Sequence, residues 1–243
     1  MPSTASINFI GGEKGGVGKS VVARLLAQYF IDHECPFVGF DTDRSHTSFT
    51  RFYADFASPV VVDSYEGLDH IATVYENLSE DENGNTTVPS VIIDLAAQTA
   101  APLARWMQDS DVVALMHSIG VRVNLWHVAD AGQDSVVLLE NLLATYGDAP
   151  NYIVVKNHGR GSDFSQLEAS SAYQKVQELG GNTIINLAQL HEASMRKIDK
   201  ANASFWAAIN TTKGDNALGM LERQRVKMWL KGAYAEMDVL GLF

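Results

Sequence analysis

The sequence predicts a three-layer α/β fold in which a mainly parallel β-sheet is flanked by helices. Short runs rich in β-branched and aromatic residues alternate with longer segments of helical periodicity, which is the pattern of βαβ units. Several of these runs are apolar throughout, as expected for strands that are covered on both faces. A glycine-rich segment follows the first run and opens directly into a helical pattern.

The individual elements follow from these patterns in chain order. The predicted strands are residues 7–11, 36–41, 59–63, 90–95, 111–117, 152–157 and 182–186. The predicted helices are residues 19–33, 64–79, 99–109, 122–146, 163–179, 190–209 and 216–238. The acidic, turn-rich stretch at 79–87 predicts an exposed loop. Because no internal repeat or linker interrupts the chain, we expect a single domain over residues 1–243.

The composition favours a folded protein of the reducing cytoplasm. Of the 243 residues, 46% are hydrophobic, which is enough to bury a sizeable core. Cys35 is the only cysteine, so neither an intrachain disulfide nor a cysteine-based zinc site can form. No apolar stretch reaches the roughly 18 residues that a spanning helix needs, and we therefore expect a soluble, cytoplasmic protein.

The segment GGEKGGVGKS at 11–20 predicts a phosphate-binding loop. It departs from the pattern G-x-x-x-x-G-K-[ST] at Glu13, where that pattern has glycine. Its other glycines allow the backbone to curl and to direct N–H groups at phosphate oxygens, beside the positive end of the following helix. Lys19 would then bind the β- and γ-phosphates, and the Ser20 hydroxyl would ligate Mg²⁺.

The segment KGGVGKS at 14–20 resembles the deviant Walker A loop of the partition and division-site ATPases of the ParA/MinD-like family, in which Lys14 is the signature residue. The resemblance implies a P-loop NTPase fold with ATP and Mg²⁺ as cofactors. It implies nucleotide contacts from Gly15, Gly16, Val17, Gly18, Lys19, Ser20 and Val21. It also implies an ATP-dependent homodimer in which Lys14 reaches the partner's nucleotide and acts with Lys19 in catalysis, whereas the alternative for Lys14 is a solvated surface lysine.

Two further segments resemble elements of the same family. VGFDTDRSHTSF at 38–49 is similar to the D-x-D switch element, which implies that Asp41 lies near the Mg²⁺ shell and that Asp43 orients the attacking water. Many family members have Pro-Gln after the second aspartate, where this chain has Arg44 and Ser45, so Asp43 as a plain loop carboxylate stays an alternative. SVIIDLAAQ at 90–98 is similar to a Walker B strand, in which Asp94 would hold a Mg²⁺-bound water; a helix cap is its alternative.

A candidate for base recognition follows a later strand. Asn157 ends the strand within NYIVVKNHGRGSDF at 151–164, where family members use an asparagine to bind the adenine edge. An asparagine at this place is equally a local turn former.

A narrower resemblance, to the TraL/StbB/MobD type of plasmid transfer, mobilisation and stability ATPases, rests on three segments. They are TSF at 47–49, HVADAGQDSV at 127–136 within the long central helix, and MLERQRVKMWLKG at 220–232. This setting implies plasmid DNA, or a DNA-processing or partition protein, as the partner.

Charge is unevenly distributed along the chain, whose net charge is -11. Residues 1–189 contain 10 Lys and Arg against 23 Asp and Glu, whereas residues 190–243 contain 8 against 6. The basic residues of interest are Arg196, Lys197, Lys200, Arg223, Arg225, Lys227 and Lys231. They could give weak, nonspecific and salt-dependent DNA binding, and the alternative is a solvated helix face.

The last predicted helix also has an apolar side, formed by Leu218, Leu221, Met228, Trp229 and Met237. A membrane-surface helix would show such a pattern. Packing against the sheet explains it more simply, and a membrane partner is not expected.

Two other functions share this fold and loop. A synthetase that activates a small carboxylate would need polar groups beside the γ-phosphate, for which Arg44, His46 and Arg122 are candidates. An iron–sulfur ATPase of the nitrogenase iron-protein type needs two cysteines from each subunit, and Cys35 alone excludes it. The leading hypothesis is a slowly hydrolysing ATPase that acts as a dimerisation switch, and it is motivated by Lys14 together with the absence of a second catalytic constellation.

Overall fold

A seven-stranded parallel sheet forms the centre of the molecule. The computed structural model describes residues 5–76, 78, 87–180 and 183–242. The strands in these residues are β1 (Ser6–Gly11), β2 (Phe37–Asp41), β3 (Ala57–Pro59), β4 (Ser90–Asp94), β5 (Arg122–Ala129), β6 (Asn151–Asn157) and β7 (Ile184–Leu187). Their order across the sheet is β3-β2-β4-β1-β5-β6-β7, and every neighbouring pair is parallel.

Helices cover both faces of this sheet. Those on one face are α1 (Lys19–Asp32), α2 (Ser48–Phe52), α9 (Glu192–Ala201), α10 (Phe205–Asn210) and α11 (Met220–Asp238). Those on the other are α3 (Tyr65–Ala72), α4 (Ala100–Asp109), α5 (Val112–Ser118), α6 (Gln133–Tyr146), α7 (Ser165–Glu168) and α8 (Ser171–Gly180). Each face of the sheet thus has its own apolar core. The predicted three-layer fold with a parallel sheet is confirmed.

The sequence prediction is wrong between residues 111 and 129. The predicted strand at 111–117 is helix α5, whose buried Val112 and Met116 are spaced by one helical turn. The predicted helix at 122–146 begins instead with strand β5, and only its second part is helix α6. The segment 127–136 therefore spans the end of β5, a turn and the start of α6.

The polar residues within β5 explain this error. Asn124 and His127 interrupt the apolar run, but both are buried and paired inside the protein. Asn124 Nδ2 donates to Asn8 Oδ1 of β1 at 2.9 Å. His127 Nε2 lies 2.8 Å from the Ser135 carbonyl oxygen and donates to it. Polar side chains that are satisfied in this way are compatible with a central strand.

Other boundaries differ less from the prediction. Strand β3 lies at 57–59 rather than 59–63, and the predicted helices at 163–179 and 190–209 are each divided into two. Helix α2 was not predicted. Residues 79–86 of the predicted loop lie outside the described residues. In the part of the chain that is described, no helix is both long and apolar enough to span a membrane.

The sheet register determines where the polar residues meet. In a parallel sheet the carboxyl ends of neighbouring strands lie at one edge, and ligands bind beyond that edge. Asp41 at the end of β2 is the register partner of Asp94 at the end of β4. On the other side of β4, Asp94 is the register partner of Ile10, which lies one residue before the end of β1. The loop that follows β1 therefore begins beside both aspartates.

Candidate nucleotide-binding site

The loop between β1 and α1 has the backbone shape of an anion-binding turn. Gly12, Gly16 and Gly18 all have positive φ, at 133°, 77° and 106°. Gly18 is additionally constrained by a neighbour, because a Cβ atom at this position would lie 2.4 Å from Asn157 Nδ2. Val17 is 2% exposed and packs into the core, so only its backbone can face a ligand. This geometry directs backbone N–H groups into the loop, as phosphate binding requires.

Lys19 is buried at the base of this loop. It is 8% exposed, and its Nζ donates to the carbonyl oxygens of Gly12 at 2.8 Å and Lys14 at 2.9 Å. Burial lowers its pKa, while the charge of Asp94 opposes that shift. A buried ammonium that is held by carbonyl groups of the loop is placed to interact with an anion in the same loop.

Asp94 is a buried carboxylate with incomplete hydrogen bonding. It is 2% exposed, and its Oδ2 has no hydrogen-bonding partner in the described part of the chain. Burial raises the pKa of Asp94 to about 7; the Ser20 side chain opposes the shift through a hydrogen bond, and the charge of Asp41 adds to it. A divalent cation beside Ser20 would satisfy such an oxygen, so these residues fit Mg²⁺.

No group of three or more His, Cys, Asp and Glu side chains among the described residues forms a metal site. This arrangement agrees with the coordination habits of Mg²⁺, which is usually bound by one or two protein groups together with water and substrate phosphates. Ser20 and Asp94 are the residues that would hold it.

Asp41 organises the segment that follows β2. It is 1% exposed, and its Oδ1 accepts a hydrogen bond from the Asp43 N–H at 3.0 Å. Its Oδ2 accepts from the N–H groups of Phe49 and Thr50 at 2.8 and 3.0 Å, which caps helix α2. Asp41 is thus bound to its own backbone by three hydrogen bonds. It lies beside Asp94 but is already engaged, which favours an indirect contact with a metal.

Thr42 connects this segment to the end of β4 through hydrogen bonds. Its Oγ1 donates to the Asp94 carbonyl oxygen at 3.1 Å and accepts from the Ala96 N–H at 2.8 Å. The D-x-D segment and the end of the Walker B strand are thereby held together. Sequence analysis did not identify this role, because it depends on a residue 52 positions away.

Asp43 lies at the open side of the site. Its side chain is 33% exposed and accepts hydrogen bonds through Oδ1 from the N–H groups of Ser45 at 2.8 Å and His46 at 3.0 Å. Partial burial opposes ionisation, but these N–H groups outweigh it and lower the pKa of Asp43. A cavity of about 560 Å³ lies beside it and is lined in part by Arg44, His46 and Gln98. An ionised carboxylate here can orient a water molecule in that cavity.

Asn157 supports the loop from behind. It is 6% exposed, its Nδ2 donates to the Val17 carbonyl oxygen at 2.7 Å, and its Oδ1 accepts from the Gly159 N–H at 3.0 Å. Asn157 therefore acts both as a turn former and as a brace for the loop. It also lines a cavity of about 150 Å³, here named the side cleft. The side cleft is further lined by Gly18, Val21, Arg160, Leu187, Gln189, Leu190, Glu192, Met195 and Trp229.

Lys14 is paired within its own chain. Its Nζ lies 2.9 Å from Asp130 Oδ2, in the connection between β5 and α6, and 3.2 Å from Asp134 Oδ2, in the first turn of α6. Hydrogen bonds to Asp130 and Asp134 raise the pKa of Lys14, so it is charged at neutral pH. The Lys14 ammonium thus interacts with a different part of the chain from the Lys19 ammonium.

Glu13 has a structural role that accounts for its place in the loop. Its Oε1 accepts a hydrogen bond from the Ala100 N–H at 3.0 Å, at the first turn of α4. Negative charge is stabilised at the amino end of a helix. Glu13 therefore joins the loop to α4, beside an apolar cavity of about 330 Å³ that lies between α4 and α6.

Several proteins of known structure are similar to this chain. No family model matches the sequence. Among solved structures, the chain resembles a ParA family ATPase from Chlorobium tepidum TLS, with a TM-score of 0.47, 12% identity, and coverage of 94% of this chain and 98% of that one. It also resembles a plasmid partition protein from Borrelia burgdorferi B31 bound to AMPPNP, with a TM-score of 0.45, 14% identity, and coverage of 93% and 98%.

The sequence relatives span between three quarters and nearly all of the chain. It is 23% identical to Protein TraL of Escherichia coli over 98% of this chain and 99% of that protein. This relative supports the resemblance to plasmid ATPases of the ParA/MinD-like type. A second relative is Protein MobD of Acidithiobacillus ferrooxidans, which is 25% identical over 74% of this chain and 76% of that protein.

The candidate nucleotide-binding site brings most of the predicted residues to one place. Lys19, Ser20, Asp41 and Asp94 meet at the ends of β1, β2 and β4, with Asp43 at their open side. The glycines Gly15 and Gly16 lie in the exposed part of the loop. Asn157 and Val21 border the side cleft, whereas Lys14 is directed to Asp130.

Several residues that border the candidate site were missed by sequence reasoning. They are Thr42, Asp130, Arg160, Gln189 and Met195. Their contacts with the loop or its flanking clefts are made across the fold, and no local motif marks them. The position of Gln189 just beyond the end of β7, on the same edge as the loop, is the one signal that could have indicated it.

The pH dependence of the free energy of unfolding tests the assignment of Asp94. Since its pKa is about 7 in the folded chain and its ordinary value is 3.8, the folded state retains a proton that the unfolded state releases. The free energy of unfolding should therefore fall as pH rises from about 4 to about 7. In EDTA at about pH 8, we expect Asp94→Asn to be more stable than wild type by more than about 1 kcal/mol in urea denaturation.

Asp63→Asn is the matched control, because the Asp63 side chain is 70% exposed and its removal changes the net charge equally. Equal pH dependence in wild type and Asp94→Asn would contradict the assignment of a buried, protonated Asp94.

Proposed function

We propose that the protein is a Mg-ATP-binding, slowly hydrolysing ATPase that acts as a nucleotide-dependent dimerisation switch in plasmid transfer, mobilisation or partition. The observation that carries this proposal is the buried Lys19 ammonium at the base of a glycine loop, beside the unpartnered oxygen of Asp94. The names of the relatives, TraL and MobD, support the plasmid setting.

The proposed reaction is the transfer of the γ-phosphoryl group to water. The backbone of residues 15–20 and the Lys19 ammonium would bind the phosphates, and Val21 and Asn157 would border the base in the side cleft. Asp43 would orient a water molecule for attack on the γ-phosphorus as the bond to the β–γ bridging oxygen breaks, which yields ADP and phosphate. Mg²⁺, held by Ser20 and Asp94, supplies positive charge to the β- and γ-oxygens when it is bound.

The proposed slow turnover is consistent with the limited positive charge that a single chain places near the γ-phosphoryl group. Catalysis of this transfer depends on positive charge near the oxygens of the γ-phosphoryl group as charge develops. Within one chain Lys19 is buried in the loop, while the Lys14 ammonium is paired with Asp130 and Asp134. Lys14 would supply further charge only after exchanging these carboxylates for phosphates of a second subunit's nucleotide. That exchange ties catalysis to dimerisation.

The proposed partner is plasmid DNA or a protein that processes or partitions it. On α9, Arg196 and Lys200 are exposed, whereas Lys197 is bound to both carboxylate oxygens of Glu222 at 2.9 and 2.8 Å. On α11, Arg225, Lys227 and Lys231 are exposed as well. Few charges per subunit predict weak, salt-dependent contact with DNA phosphates, which two subunits would strengthen.

The apolar side of α11 is explained mainly by packing. Trp229 and Met237 are buried, as is Leu218 just before the helix, while Leu221 and Met228 are 63% and 56% exposed. The side that faces the core is the one formed by Val226, Trp229, Leu230, Ala233 and Met237. A membrane role is therefore not proposed.

The second candidate is a synthetase that transfers the γ-phosphoryl group to a small carboxylate. The open cavity of about 560 Å³ beside Asp43 supports it, because Arg44 and His46 line that cavity. Arg122 does not belong to it, since it begins β5 at the opposite edge of the sheet and its Nη2 donates to the Gly241 carbonyl oxygen. Phosphate release that depends on an added carboxylate would favour this candidate.

Lys19→Ala should abolish ATP binding. The variant removes the buried ammonium from the phosphate loop, so titration with a fluorescent ATP analogue in Mg²⁺ should show a loss of affinity of at least about a hundredfold. Lys175→Ala is the matched control, because it removes an ammonium of α8 that is paired with Asp148, and we expect its ATP affinity to stay near that of wild type. Ordinary affinity in Lys19→Ala would overturn the site.

Arg196→Glu combined with Lys200→Glu should weaken ATP-dependent DNA binding. Reversing two exposed charges per subunit should lower the affinity for a random duplex at low salt on the order of tenfold or more, and reduce its salt dependence. The control is Arg105→Glu with Lys175→Glu, which reverses the charge of the exposed Arg105 and of the half-buried Lys175 on the opposite face of the sheet. Equal mobility shifts for both variants would argue for a protein partner.

A further inference from the structure

Arg24 is a buried cation in the middle of α1, the helix that follows the phosphate loop. It is 3% exposed, and its Nη1 donates to Asp199 Oδ1 of α9 at 2.9 Å. Its guanidinium lies over the Phe52 ring of α2, 3.5 Å from the ring centre, and 5.1 Å from the ring centre of Phe205 in α10. One side chain thus contacts three separate helices.

The hydrogen bonding of this guanidinium is incomplete. Nε and Nη2 of Arg24 are buried and have no hydrogen-bonding partner among the described residues. Thr50 Oγ1 of α2 and Ser194 Oγ of α9 are also buried, and they too have no hydrogen-bonding partner among the described residues. Buried polar groups are nearly always satisfied, and a buried cation with unused donors carries a large desolvation cost. A second arrangement of α2 and α9 that uses these groups would therefore compete with the observed one.

Helix α2 connects this cluster to the nucleotide site. Asp41 Oδ2 accepts the hydrogen bonds that begin α2, and Asp41 Oδ1 accepts the N–H of Asp43. Any shift of the Asp41–Asp43 segment therefore moves the first turn of α2. Phe52, at the last position of that short helix, rests on the Arg24 guanidinium.

Helices α9 and α10 connect the same cluster to the surface. Asp199, the Arg24 partner, is flanked on α9 by the exposed Arg196 and Lys200. Helix α10 is attached through Gln28 of α1, whose Oε1 accepts hydrogen bonds from the Tyr53 hydroxyl at 3.0 Å and the Trp206 N–H at 2.9 Å. The exposed residues of α9 and α10 are thus joined to α1 and α2 by directional contacts.

We propose that Arg24 is a positioning residue that transmits the presence of the γ-phosphate from the Asp41–Asp43 segment to helices α9 and α10. The proposal rests on the proposed function, because it requires that ATP and ADP bind in the loop. It adds the route by which nucleotide state would reach the surface that carries Arg196, Lys200 and the 59% exposed Trp206. Arg24 contacts no reacting atom in this scheme.

A second route to α9 is separable from this one. Glu192 and Met195, at the start of α9, line the side cleft where the base would bind. ATP and ADP carry the same base, so both would fill that cleft equally. The difference between the two nucleotides therefore excludes the route through the base, and variants of Arg24 and Asp199 then test the route through α2 among those that depend on the γ-phosphate.

Hydrogen exchange of the full chain, measured by mass spectrometry, tests the proposal. Wild type is compared in Mg-AMPPNP and in Mg-ADP, with nucleotide binding measured on the same samples. Peptides from 40–52 and from 192–210 should each differ between the two nucleotides by about threefold or more in exchange rate. Arg24→Met keeps the length of the side chain without its charge, and should retain the difference at 40–52 while losing it at 192–210.

Two further variants distinguish the proposed role of Arg24 from a folding defect in Arg24→Met. Asp199→Asn changes only the 48% exposed partner of Arg24, and should reduce the difference at 192–210 by at least about half. Lys213→Met is the matched control, because it removes an exposed charge just beyond α10 at a residue without a proposed role, and its response should equal that of wild type.

The outcomes separate this inference from the proposed function. Failure of wild type to bind nucleotide would overturn both. Binding without any difference at 192–210 in wild type would overturn the inference alone. A full difference at 192–210 in Asp199→Asn and in Arg24→Met would also overturn it. Loss of the difference in Arg24→Met and its reduction by at least about half in Asp199→Asn, with Lys213→Met unchanged, is the result that the proposal predicts.

Discussion

The Lys19 ammonium is buried at the point where β1, β2 and β4 end, and the groups around it are arranged to balance its charge. Carbonyl oxygens of Gly12 and Lys14 accept its hydrogen bonds, while the charges of Asp94, Glu13 and Asp43 oppose the lowering of its pKa by burial. Burying a cation is costly unless it is paired and hydrogen-bonded. The glycine loop meets part of that requirement, and the register of β2 with β4 and the hydrogen bond from Thr42 to Asp94 meet the rest. The same arrangement leaves a place for an anion and a divalent cation.

The same residues that balance Lys19 connect the site to the rest of the molecule. Asp41 begins helix α2, Glu13 joins the loop to α4, and Asn157 holds Val17 from behind. A change of charge in the loop would therefore act on helices of both faces of the sheet. A protein that works as a switch needs this kind of connection, because a ligand shifts a conformational equilibrium only through contacts that differ between the two states.

The sequence was most informative where function depends on local pattern. The loop at 11–20 was predictable because a strand, glycines, a lysine, a hydroxyl and a helix follow one another within a few residues. The strand β5 was not, because a buried central strand lacks alternation, and Asn124 and His127 are paired with groups that are distant or placed beyond the strand. The Asn157 contact with Val17 joins residues 140 positions apart, and the pairing of Lys14 with Asp130 likewise depends on the completed sheet. Such contacts follow from strand order, which no single segment encodes.

In the proposed switch, ATP but not ADP brings two chains together through Lys14. This proposal is tested most directly by light scattering of the Asp43→Ala variant, in which loss of the water-orienting carboxylate should preserve bound ATP. The mass is measured once in Mg-ATP and once in Mg-ADP. The account predicts twice the mass of a single chain in Mg-ATP and the mass of one chain in Mg-ADP. The same mass in both nucleotides would contradict the switch and favour a synthetase that uses the cavity beside Asp43.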